Sequence, residues 1–207
     1  MYGKLILING ASSAGKSSLA LALQQRLDTP FYRASIDTFV HNMLDWGRDV
    51  ALDPPDGAHE GFRVRTLDDG GGRALALSAG ERARLFLAGM RAATAAFVKA
   101  GNSLIFDDVL YDPGYLEGYL AAFEGIEVWF VGLRCPLDVL EQRERQRGDR
   151  SVGHARGHYH LVHQHGLYDI EIDTAQTRPE DAAALIAERV QTGTPAAFAR
   201  LRAQIAL

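Results

Sequence analysis

A single cysteine, Cys135, leaves the chain unable to form an internal disulfide. Basic residues are not in excess either: the formal net charge of −4 supplies no broad positive field, which argues against a nucleic acid partner. No apolar run approaches the roughly 20 residues that cross a bilayer, so no membrane span is expected. The chain also enters its first apolar strand without a basic and apolar leader, and together with the lone thiol this leads us to expect a cytoplasmic protein. What the chain does have is a hydrophobic content of 47% over 207 residues, enough for one substantial core and one domain.

The strongest local signal is Gly10-Ala11-Ser12-Ser13-Ala14-Gly15-Lys16-Ser17, which fits the phosphate-loop pattern G-x-x-x-x-G-K-[ST] at every fixed position. Its context fits as well. The apolar run Leu5 to Ile8 precedes it as a strand, and Ser17 to Leu23 follows as a helix. Gly10 and Gly15 let successive N–H groups turn inward on an anion at the positive end of that helix. Gly10, Ala11, Ser12, Ser13, Ala14, Gly15, Lys16, Ser17 and Ser18 are therefore the candidate residues for binding ATP. Lys16 is expected to reach the β- and γ-phosphates, and Ser17 to offer its hydroxyl to Mg²⁺.

Downstream, Phe31 to Ile36 reads as a second strand with Asp37 at its C-terminal end, on the edge where ligands of open parallel sheets bind. Residues 38–100 are the candidate acceptor-binding segment. Within it Asp53-Pro54-Pro55-Asp56-Gly57 marks a turn, and Asp68 to Gly72 joins Phe62–Arg65 to Ala74–Leu77 as a hairpin. A helix over Glu81 to Ala100 shows an apolar stripe of Leu85, Phe86, Met90, Ala93, Phe97 and Val98. Ser103 to Asp108 has the form of a Walker B strand. Either acid, Asp107 or Asp108, could face the metal site, touching Mg²⁺ directly or holding a coordinated water or Ser17.

A fourth strand follows at Ile126 to Gly132, then a helix from Leu137 to Arg147. Arg143, Arg145, Arg147 and Arg150 crowd around Gly148, and guanidinium groups at that density suit a lid, about 143–157, closing on phosphoryl oxygens. Five histidines between His154 and His165 do not complete a recognisable metal set. Tyr168 to Asp173 is a fifth strand, Thr174 to Thr177 a loop expected beside adenine, and Arg178 opens a helix to about Val190. Residues 194–207 form a helical extension. The chain contains neither the guanine-reading Asn-Lys-x-Asp motif nor the Leu-Ser-Gly-Gly-Gln transporter signature, which weighs against a nucleotide-dependent switch.

Asn9 to Ser17, Ile36-Asp37-Thr38, Ile105 to Val109, Val131 to Cys135, Arg147 to Arg150, Val162-His163 and Tyr168 to Thr174 together resemble the chloramphenicol phosphotransferase family of P-loop kinases. That family is similar in fold to shikimate and nucleoside monophosphate kinases. The resemblance implies an α/β three-layer sandwich whose five-stranded parallel sheet is ordered 2-3-1-4-5. It also implies Asp37 as general base, Lys16, Arg147 and Arg150 as further catalytic groups, and Asp107 with Ser17 near the metal. The expected activity is transfer of a phosphoryl group from ATP to a small hydroxylated acceptor, chloramphenicol or a related molecule, with another metabolite or a nucleotide as the alternative.

Overall fold

The computed structural model describes residues 2–55, 59–68, 70–148 and 151–205. Strand β1 (Lys4–Gly10) leads into α1 (Lys16–Arg26), followed by β2 (Tyr32–Ser35) and α2 (Ile36–Met43). Next come α3 (Trp46–Asp49), β3 (Val50–Leu52), β4 (Phe62–Asp68), β5 (Arg73–Ala79) and α4 (Glu81–Lys99). The chain then forms β6 (Leu104–Asp108), α5 (Pro113–Ala122), β7 (Glu127–Arg134), α6 (Leu137–Arg147) and α7 (His154–Tyr159). It closes with β8 (Ile170–Asp173), α8 (Pro179–Thr192) and α9 (Ala197–Ile205).

Five strands make the main sheet, ordered β2-β6-β1-β7-β8 with every pairing parallel, which is 2-3-1-4-5 when these five are counted along the chain. The composition of β1 explains its central place. Leu5, Ile6, Leu7 and Ile8 have no exposed surface, as expected of a strand covered on both faces, and each such burial contributes about 1.5–3 kcal/mol. Helices α1 and α8 pack together on one face and α4 and α5 on the other, with α9 against α5. Parallel strands require crossovers, and the crossing helices supply both outer layers.

The hairpin is present as β4 and β5, antiparallel from Phe62 opposite Ala79 to Asp68 opposite Arg73. Its predicted turn includes Asp69, and the upstream turn includes Asp56 and Gly57; all three lie outside the described residues. Three short elements have no counterpart in the sequence reading: α3, β3, which pairs parallel with β4, and α7. Each is six residues or fewer, too short to show a hydrophobic period.

One expectation is corrected. The buried face of α4 runs through Ala83, Leu87, Met90, Thr94, Ala95 and Val98, whereas Leu85 is 68% and Phe97 39% exposed. Apolar residues surround this helix, so periodicity did not single out one face. Thr94 can lie inward because its hydroxyl donates to the Met90 carbonyl at 2.8 Å.

Candidate active site

The loop between β1 and α1 turns on Gly15, whose φ of +90° is left-handed and caps α1 without any side-chain hydrogen bond. With glycine as N-cap, the capping residue offers no side chain to the start of α1, the positive helix end at which an anion would lie. Ser13 also sits at positive φ, 64°, a strained setting for a residue with a side chain. The Lys16 ammonium folds over this loop and donates to the Gly10 carbonyl at 2.9 Å and the Ala11 carbonyl at 2.8 Å. Ser17 and Ser18 are exposed at the start of α1.

Sheet register brings the other candidates to the same edge. Ser35 pairs with Asp107, Asp107 with Ile8, and Asp108 with Asn9, the residue before the loop. Asp37 lies two residues past Ser35, in the first turn of α2. A capping box fixes that hand-over from strand to helix: Thr38 N donates to Ser35 Oγ at 3.2 Å, and Ser35 N to Thr38 Oγ1 at 3.1 Å. The Asp37 carboxylate is 39% exposed and its Oδ1 lies 3.9 Å from His41 Nε2. With one strand between them, β2 and β1, which lead into Asp37 and the loop, run roughly 10 Å apart.

The paired acids separate by face. Asp108 accepts from the Tyr119 hydroxyl at 2.5 Å and the Val109 N–H at 2.6 Å, on the side of α5. Burial pushes its carboxyl above the usual range, against those two bonds and the charges of Lys16 and Arg91. Strand alternation turns Asp107, also buried, to the face covered by α1. Ser17 and Asp107 are hard oxygen donors suited to Mg²⁺. Among the described residues no group of three or more His, Cys, Asp and Glu could hold a metal, so phosphate and water would complete its shell.

The arginine cluster divides. Arg143 is fixed to the loop after β8, donating to the Thr174 carbonyl at 2.7 Å and to Thr174 Oγ1 at 3.2 Å. Arg147 is exposed at the last turn of α6, which Gly148 ends with φ 67°, and Arg150 lies outside the described residues. Two groups that the sequence reading passed over hold the neighbouring structure. Glu144 is buried and accepts from the Gly153 and Ala155 N–H groups at 2.8 and 2.9 Å, and the Tyr119 hydroxyl engages Asp108. An acid amid four arginines looks like surface charge, so only its depth in the fold reveals Glu144.

A cavity of about 670 Å³ opens beside the phosphate loop at the C-terminal ends of β7 and β8. Ala11, Cys135, Tyr159, His163, Gln164 and Asp173 are among its walls.

A phosphate loop entering α1 from the central strand of a 2-3-1-4-5 parallel sheet is the P-loop kinase fold. The chain belongs to the chloramphenicol phosphotransferase-like family, which matches residues 3–191. It is similar to the "Putative O-phosphotransferase" of Mycobacterium tuberculosis, 35% identical over an alignment of 206 positions that covers 97% of this chain and 88% of that one. Among solved structures it is similar in fold to the M. tuberculosis APS kinase in complex with AMPPNP and APS. There the TM-score is 0.64 at 14% identity over 92% of this chain and 99% of that one. The tunicamycin resistance protein of Deinococcus radiodurans gives 0.60 at 17% identity over 93% and 98%.

Proposed function

We propose that this chain is an ATP-dependent O-phosphotransferase that moves the γ-phosphate to a hydroxyl of a small molecule, with a chloramphenicol-like antibiotic as the leading acceptor. One observation carries the reading: the loop with Lys16 and the Asp37 carboxylate share one sheet edge, separated by a single strand. That gap suits a terminal phosphate on one side and an acceptor hydroxyl on the other. The family and its M. tuberculosis relative support the same reaction class.

In this reading residues 10–18 hold the ATP phosphates through backbone N–H groups, and Lys16 exchanges its two carbonyl partners for the β- and γ-phosphates. Asp37 accepts the proton of the acceptor hydroxyl and aims the oxygen at the γ-phosphorus. Ser17 and Asp107 would hold Mg²⁺, which neutralises charge on the phosphates when bound. The cavity beside Ala11 takes the nucleoside, and Thr174 to Thr177, which follow the wall residue Asp173 along the chain, flank the adenine in this reading. Residues 1–207 act as one domain. Segment 38–100 supplies the acceptor side, 143–157 the lid bearing Arg147 and Arg150, and 194–207 an extension outside the chemistry.

The test is a panel of hydroxylated acceptors, including chloramphenicol, nucleosides and polyols, with ATP consumption and product mass as readouts. A phosphorylated antibiotic supports the leading acceptor, and a phosphorylated metabolite or nucleotide replaces it. ATP binding without any acceptor-dependent product would leave a non-transferring module. Asp37→Asn is expected to keep ATP affinity and lower turnover roughly 10²- to 10⁴-fold; unchanged turnover would remove Asp37 as the base.

A further inference from the structure

The histidine-rich stretch has no part in the chemistry above, yet one member connects the cavity to the phosphate loop. His163 lines the cavity, and its Nδ1 lies 2.6 Å from the Tyr168 hydroxyl. The Tyr168 hydroxyl oxygen accepts from Asn9 Nδ2 at 2.8 Å. Asn9 is fully buried immediately before Gly10. Its second amide hydrogen goes to the Val162 carbonyl at 2.6 Å, and its Oδ1 accepts from the Leu110 N–H at 2.9 Å.

The protons in this chain assign themselves. Both amide hydrogens of Asn9 are used, so the Tyr168 oxygen must receive one of them and its own hydrogen must go elsewhere. His163 Nδ1 at 2.6 Å is a better acceptor than the Val162 carbonyl at 3.3 Å. Neutral His163 with its hydrogen on Nε2 leaves Nδ1 bare to accept from the Tyr168 hydroxyl. Gly132 is part of the same arrangement, since a Cβ there would come within 2.6 Å of the Tyr168 ring.

We propose that His163, Tyr168 and Asn9 form a positioning relay that fixes the entrance of the phosphate loop and ties it to the wall of the nucleoside cavity. The relay rests on the nucleotide-site reading above, and its three members are positioning residues without contact to the reacting atoms. Its surroundings keep His163 neutral. Burial, then the charges of Arg134 on β7 and His165 on the same loop, oppose protonation, while Glu171 on β8 and the Leu133 backbone act the other way, and the ring is lowered to about 4. A protonated ring would turn Nδ1 from acceptor to donor and push the Tyr168 hydrogen onto the longer Val162 contact at 3.3 Å.

The experiment measures the Kd of ATP with Mg²⁺ by titration calorimetry for wild type, Tyr168→Phe, His163→Phe and His163→Asn. Long-range ¹H–¹⁵N spectra of the wild-type histidines are recorded at pH 7. The relay predicts a His163 ring protonated on Nε2 with a bare Nδ1. It also predicts ATP binding weakened about tenfold by Tyr168→Phe and His163→Phe. His163→Asn, which keeps an amide near the Nδ1 position, is expected to recover most of that loss. A ring protonated on Nδ1, ATP affinity within about twofold of wild type in both Phe variants, or equal losses in His163→Asn and His163→Phe would each overturn the relay. The tautomer result stands on wild type alone if Tyr168→Phe does not fold. No ATP binding by folded wild type would instead remove the nucleotide-site reading beneath it, and the relay with it.

Discussion

Asp108 and Tyr119 are a pair whose chemistry burial sets. With 1% of its surface exposed, Asp108 keeps a raised pKa in spite of a short hydrogen bond from Tyr119 and the nearby charges of Lys16 and Arg91. The same burial, together with the Asp108 charge, lifts the Tyr119 hydroxyl well above its ordinary value, so it remains a donor throughout the physiological range. Tyr119→Phe deletes that donor and leaves a buried carboxyl oxygen without it. We expect a loss of about 1–3 kcal/mol in denaturant unfolding with ATP affinity retained. Unchanged stability would mean that the cavity refills with another donor. Asp107, one residue earlier, differs in role only because a strand turns alternate side chains to opposite faces.

Among the elements, α6 and α7 are joined by a clasp that a free lid would not have. The Glu144 carboxylate caps the first N–H groups of α7, and Arg156 reaches Glu141 at 2.6 Å. On its other side α7 abuts the hairpin: Leu75 N donates to the Gly153 carbonyl at 2.9 Å, which places the start of α7 against β5. Motion of α7 would therefore carry the β4–β5 hairpin with it. Glu144→Gln places an amide NH₂ where an acceptor was. Hydrogen exchange followed by mass spectrometry is expected to show faster exchange at residues 153–162 and at Leu75, with the β1 amides unaffected. Exchange confined to α7 would show that α7 moves independently of the hairpin.

For the whole molecule, half-buried histidines shape the response to acid. His163 is held at about 4 against an ordinary 6.5, chiefly by desolvation, and His165 is lowered for the same first reason. Between those two values the unfolded chain takes up a proton at His163 that the native state refuses. The His163 contribution is thus fully present above about 6.5 and is lost as pH falls toward 4. Asp108 acts with the opposite sign, its raised pKa favouring the native state at lower pH. His163→Asn has no such proton to refuse, so its melting midpoint is expected to fall less steeply than wild type between about pH 6.5 and 4. Parallel curves for the two proteins would show that His163 is not the group responsible.

The loop from Gly10 to Ser17 and the place of Asp37 at a strand end were legible in the sequence. Each depends on neighbours within a few residues: glycine at a left-handed position, a capping serine, an apolar run before the turn. The long strands and helices were legible for the same reason, because hydrophobic spacing along the chain reports local geometry. Other features depend on partners distant in the chain. The inward face of α4, the separation of Asp107 from Asp108, and the burial of Glu144 could be decided only by packing. Asn9 meets Val162 and Tyr168 across 153 and 159 residues, and no local period encodes which side chain waits at that distance. The sequence by itself determined a phosphate-loop pattern between a strand and a helix and a carboxylate at the end of the next strand. Tertiary structure decided which buried groups hold them in register, because a buried polar side chain can persist only where the fold supplies its hydrogen-bond partners.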